Sequence, residues 1–180
     1  MDIFERSMHL IVENIEFNSF NQVINNIHFV ILEHGLLHAG KEWNFSKLSS
    51  PFNRLYFVTA GKGHVSNDHG SVDLEGGNVY IVPLNTTCDY SCDQELHKFY
   101  IHFRIELIPG HDLFEEMNEL RSLPVDNSLI NELVSFASSG QIGDMVKAKG
   151  ILLNYIGNLI FPGLQSLNEQ MKMSHHYIQL

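Results

Sequence analysis

The sequence predicts a mainly-β domain, an antiparallel sandwich or barrel, with helices after it. Three observations carry that expectation. Short β-branched and aromatic runs recur between Gly, Asn and Asp turn signals from residue 27 to residue 105. After Pro109 the apolar residues change to helical spacing. Hydrophobic residues make up 44% of the 180 and charged ones only 18%, a balance that builds a packed core.

The elements follow in order. Ile27 to Leu32 is compact, apolar and β-branched, which favours a strand. Leu55 to Thr59 is a second strand, stopped by a tight hairpin at Gly61-Lys62-Gly63. His64 and Val65 restart a strand that Asn67-Asp68-His69-Gly70 turns back. Val72 to Leu74 and Val79 to Val82 flank the turn Glu75-Gly76-Gly77-Asn78, and Pro83 ends the second of them. His97 to Ile105 closes the series before Pro109-Gly110.

Asp112 to Leu120 reads as a first helix, its early acids suited to the helix dipole. Asn127 or Ser128 caps a second, and Asp144 a third that runs to Phe161 and stops at Pro162-Gly163. On the third helix Met145, Ala148, Leu152, Tyr155, Ile156 and Leu159 share one broad apolar face. That face either packs on the barrel and its sister helices or forms a subunit interface, with Met145, Leu152, Tyr155, Ile156 and Leu159 as the contact set. Glu169 to Leu180 reads as the approach to another element.

Charge narrows the partners. The chain carries a formal −10, and both the part up to Phe103 and the part after it are acidic. Such a surface repels phosphate backbones, which argues against a nucleic-acid grip by these residues. Cys88 and Cys92 are too few for a secreted disulfide framework. The start, Met1 to Arg6, lacks a basic stretch followed by an apolar run, and no apolar run reaches the ~18 residues a membrane span needs. The expectation is a cytoplasmic protein with free thiols and no membrane partner.

Arg54-Leu55-Tyr56-Phe57-Val58 stands before Gly61-x-Gly63, Leu74 to Val82 ends in Pro83, and Tyr100-Ile101-His102-Phe103 follows. In order and spacing this block resembles the sensor domain of AraC-type transcription regulators, a cupin (jelly-roll) barrel. Asn78 departs from the acidic residue common at its position. The resemblance implies an effector-binding barrel over residues 1–108 and a helical segment over 109–180 that serves as dimer interface and start of a linker. It also implies a homodimer whose DNA contacts come from a C-terminal unit with two helix-turn-helix motifs. Only 71 residues remain from Gly110 onward, already assigned to the sensor's helices, so that unit is expected outside this chain.

Cupins include metal enzymes, and the competing readings are a stand-alone cupin enzyme or a small-molecule-binding cupin with no DNA partner. Metal cupins place two His and a carboxylate near the first GxG and a late His after the G-x5-P segment. Here the late position is Cys88, and the first region offers only His64 and His69. Cys88 and Cys92 with His97 form a weak zinc pattern, since Cys-x3-Cys lacks a second pair. There is no Gly-x-Ser-x-Gly and no phosphate loop. The expectation is a binding protein without catalytic residues, metal or cofactor.

Strand alternation supplies the candidate ligand site. Arg54, Tyr56, Val58 and Ala60 share one face and Leu55, Phe57 and Thr59 the other; Lys98, Tyr100 and His102 oppose His97, Phe99, Ile101 and Phe103. The apolar set suits a core continuous with the helices, and the mixed set suits the barrel interior. In the family's arabinose-binding member an inward Tyr follows the G-x5-P segment, matching Tyr90. A basic or imidazole group and a Trp two residues apart on the last strand there correspond to Lys98 and Tyr100. The Arg that clamps the sugar is Ala60 here, which argues against arabinose itself and leaves a polyol, sugar-like or other small polar metabolite as the effector. The candidate ligand residues are therefore Arg54, Tyr56, Tyr90, Lys98, Tyr100 and His102, with Trp43 either a core plug or a cap.

Overall fold

A computed structural model of the chain describes residues 24–160. Nine strands come first: β1 (His28–Ala39), β2 (Phe45–Leu48), β3 (Asn53–Asn67), β4 (Gly70–Glu75), β5 (Asn78–Val82), β6 (Cys88–Ser91), β7 (Leu96–Ile108), β8 (His111–Asp112) and β9 (Arg121–Pro124). Two helices follow, α1 (Asn127–Ser138) and α2 (Ile142–Ile160). The architecture is mainly antiparallel β with C-terminal helices.

The long strand β3 organises everything else. Its first half lies between β5 and β7 in the order β1-β7-β3-β5-β9, and its second half pairs with β4 and β6, with β2 beyond β6. One chain segment thus serves two sheets, and the register slips between Val58 and Ala60 where it crosses. The expected hairpin at Gly61-Lys62-Gly63 is therefore absent, and β3 is continuous there. Gly61 is needed for a different reason. Its φ is +79°, and a Cβ would stand 2.2 Å from the Glu95 carbonyl oxygen.

Two cores result, one on each face of the β1-β7-β3-β5-β9 sheet. Leu55, Phe57, Val79, Ile81, Phe99, Ile101 and Phe103 face outward under the helices, with Ile130, Leu133, Leu152 and Ile156 closing over them. Tyr56, Val58, Tyr80 and Val82 face inward and meet Val65, Leu74 and Tyr90 from the second sheet. The period-2 alternation of β3 and β7 thus divides helix layer from barrel interior residue by residue.

Further sequence expectations change. Strand β1 extends seven residues past Leu32, to Ala39, because β7 offers it a partner along its whole length. No helix forms over Asp112 to Leu120. The Asp112 carboxylate is buried and accepts from Asn53 Nδ2, Ile105 N and Phe114 N, each at 2.9 Å, which ties it to a hairpin with β7. Because β8 and β9 belong to the sheet, the β unit runs to Pro124 rather than ending at 108. Helix α1 is capped by Asp126, one residue before the expected position, whose side chain accepts from Ser128 N at 2.8 Å. Helix α2 starts at Ile142, with Asp144 in its first turn. The expectations for Phe161 to Gly163 and for the Glu169 to Leu180 tail lie outside the described residues.

Candidate ligand-binding site

Four of the six expected ligand residues meet inside the barrel. Arg54 and Tyr56 come from β3, Tyr90 from β6 and Lys98 from β7, and all four are buried. Trp43, in the turn between β1 and β2, joins them with its ring centroid 5.4 Å from that of Tyr90 and 6.4 Å from that of Tyr56. The Lys98 ammonium lies 3.3 Å from the Tyr56 ring centroid and 4.0 Å from that of Trp43. Arg54 Nη1 donates to Tyr90 Oη at 3.1 Å, and Nη2 donates to Ser50 Oγ.

The electrostatics of this cluster are unusual. Lys98 is 2% exposed and Arg54 3%. Among the described residues neither forms an ion pair with a carboxylate. Burial pushes the Lys98 ammonium well below its usual pKa, and the neighbouring Arg54 charge pushes the same way. Burial also raises the phenols of Tyr56 and Tyr90, so both stay neutral hydroxyls. Each cation–π contact contributes about 2 kcal/mol when desolvated. Removing an ammonium from water costs several kcal/mol, so the rings offset only part of it.

Tyr100 and His102 share the Lys98 face of β7 and are only half-buried, Tyr100 packing against the inner core. Glu33 of β1 accepts from Tyr100 Oη at 2.9 Å and hydrogen-bonds His102 Nδ1 at 3.0 Å. Phe52 stacks on His102 at 4.6 Å between centroids, and Arg54 also lies over the Phe52 ring. Burial lowers the His102 pKa, and Glu33 opposes that shift. Glu33, Phe52 and Ser50 were not expected at the site. Glu33 lies beyond the stretch read as a strand, just after a register slip in β1, so alternation from Ile27 does not reach it.

Other candidates do not assemble. Cys88 and Cys92 are buried in the barrel core, burial raises the Cys88 thiol, and no group of three or more His, Cys, Asp or Glu side chains among the described residues is arranged for a metal. The donor set at the cupin late-ligand position therefore does not fit a metal. An open groove of about 520 Å³ runs beside Gly61 to His64 and is lined by none of the six residues. Its basic side chains already have partners, Lys62 with Glu75 at 3.0 Å and His64 Nδ1 with Asp73 at 2.8 Å.

The expected dimer set divides. Leu152, Ile156 and Leu159 are buried against the sheet, and Tyr155 packs edge-on against Phe57 at 5.6 Å, so these four serve the chain's own core. Only Met145 is exposed, beside Ile142 and Val146 in the first turns of α2. The apolar surface is wide enough for both uses, and the sheet takes the broader share.

No family model and no curated protein matches the chain. Among solved structures it is similar to fatty-acid-bound ToxT from Vibrio cholerae, at 10% identity and a TM-score of 0.46, over 77% of this chain and 55% of ToxT. It is also similar to EutQ from Clostridium difficile, at 13% identity and 0.36, over 43% of this chain and 67% of that one. A cupin superfamily protein from Desulfitobacterium hafniense is similar at 16% identity and 0.35, over 42% and 75% of the two chains. No helix among the described residues is long and apolar enough to cross a membrane.

Proposed function

We propose that this chain is the effector-sensing domain of an AraC-like transcription regulator, a binding domain and not an enzyme. The observation that carries the reading is the barrel interior, where Arg54, Lys98, Tyr56 and Tyr90 occupy positions that stability alone would fill with aliphatic side chains. The motif order from Arg54 to Phe103 supports the regulator class. A small polar effector binds among these side chains, and DNA contacts belong to a separate unit. Residues alternate along β3 between the barrel interior (Arg54, Tyr56, Val58) and the helix layer (Leu55, Phe57), and Phe57 touches Tyr155 of α2. A ligand that shifts β3 therefore has a direct mechanical route to the helices, provided that it prefers one of two arrangements.

A metabolite library screened by thermal shift tests the reading. At least one small polar compound raises the wild-type Tm saturably, and Tyr90→Phe, which keeps the ring but loses the hydroxyl, reduces the rise. A library without a hit, or hits indifferent to Tyr90→Phe and to Lys98→Met alike, would sink it.

A further inference from the structure

Every ion pair among the described residues lies outside the barrel's deep cluster. Within it are two cations, Arg54 and Lys98, from strands in the same sheet. Around them stand the Tyr56 and Tyr90 phenols, which burial keeps neutral, the Trp43 indole and the side chains of Cys88 and Cys92. Among the described residues neither charge pairs with a carboxylate, and the Arg54 charge adds to the cost of burying the Lys98 ammonium. Packing gives no reason for the pair, because methionine fills the same volume as lysine without the desolvation penalty.

We propose that the effector is a small organic anion, its carboxylate or phosphate seated between Lys98 and Arg54. The inference rests on the sensing role proposed above and adds the ligand's charge. Lysine suits such a site because its four-carbon stem lets the ammonium swing off the Trp43 and Tyr56 rings toward an incoming anion. Arg54 presents the remaining edge of a planar donor fork beside Tyr90 Oη. The aromatic faces of Trp43 and Tyr56 then meet the ligand's carbon skeleton. In the free protein the two cations are stored electrostatic strain, and the anion relieves it.

Thermal shift and calorimetry on the full chain, with benzoate, inorganic phosphate and the neutral isostere benzamide at ionic strength matched with chloride, test the charge. Benzoate or phosphate raises Tm saturably and benzamide does not; which anion acts distinguishes the two sources of negative charge. Lys98→Met weakens that binding about tenfold to a hundredfold, the loss of one charge-assisted hydrogen bond. The same variant without ligand has a Tm equal to or above wild type, whereas a lysine kept for structure would lower it on removal. Benzamide acting as well as benzoate, no shift from either anion, or a Lys98→Met protein less stable than wild type overturns the proposal. A neutral metabolite that binds wild type and loses affinity in Tyr90→Phe leaves the sensing role standing while the anion falls.

Discussion

Lys98 shows how a single side chain separates stability from function. Its pKa is held well below 10.5, chiefly by burial, so the unfolded chain binds more protons than the folded one as pH rises toward that value. Stability contributed by this site accordingly increases with pH through that window. Tyr56 and Tyr90, whose phenols are raised above 10.0, act in the opposite direction once pH exceeds that value. The prediction is confined to the alkaline range below pH 10. Chemical denaturation there yields a wild-type unfolding free energy that climbs relative to Lys98→Met as pH increases. Parallel curves for the two proteins would show that Lys98 is charged in the fold as easily as in water.

Among the elements, the segment after β7 is the most informative. Its sequence carries helix-like acids, yet Asp112 is used as a buried anchor, with three donors at 2.9 Å. Through Asn53, whose Oδ1 accepts from Leu84 N at 2.9 Å, the same anchor reaches the stretch after β5. Asp112→Ala leaves these donors without their acceptor and is expected to destabilise the chain by about 2–4 kcal/mol, read from denaturant midpoints. A solvent-exposed helix residue changed to Ala would cost less than about 0.5 kcal/mol. Spacing alone does not separate the two cases. The carboxylate's partners include Asn53, which is 59 residues away in sequence.

At the scale of the whole molecule, the described residues form three layers: a second sheet, the β1-β7-β3-β5-β9 sheet, and the helices. Helix α2 gives the outer layer its two faces. Leu152→Ala opens a cavity in the core and is expected to cost about 2–5 kcal/mol without a specific effect on association. Ile142→Glu combined with Val146→Glu changes side chains that are 80% and 66% exposed, so the fold stands. If the exposed start of α2 is where two copies of the chain meet, the double variant sediments as monomer where wild type shows a concentration-dependent dimer. Unchanged association would place the contact elsewhere.

Residue alternation made much of this legible in advance. The inward set Arg54, Tyr56, Lys98 and the outward set Phe57, Phe99, Phe103 follow from period 2 on two strands and need no tertiary information. The turn at Asn67 to Gly70, the start of β5 and the existence of α1 and α2 were readable from local turn and cap chemistry. Three decisions belong to the tertiary structure. Gly61-Lys62-Gly63 continues one strand in which Lys62 N donates to the Glu95 carbonyl at 2.8 Å. Glu33 reaches Tyr100 and His102 because β7 draws β1 out to twelve residues. Leu152, Ile156 and Leu159 face inward because the sheet's outer face offers them more apolar surface than solvent does. Sequence by itself determined which residues alternate and which turn; only the folded chain decided where two buried basic groups stand without a carboxylate, since that depends on three strands and the Trp43 turn converging from distant parts of the sequence.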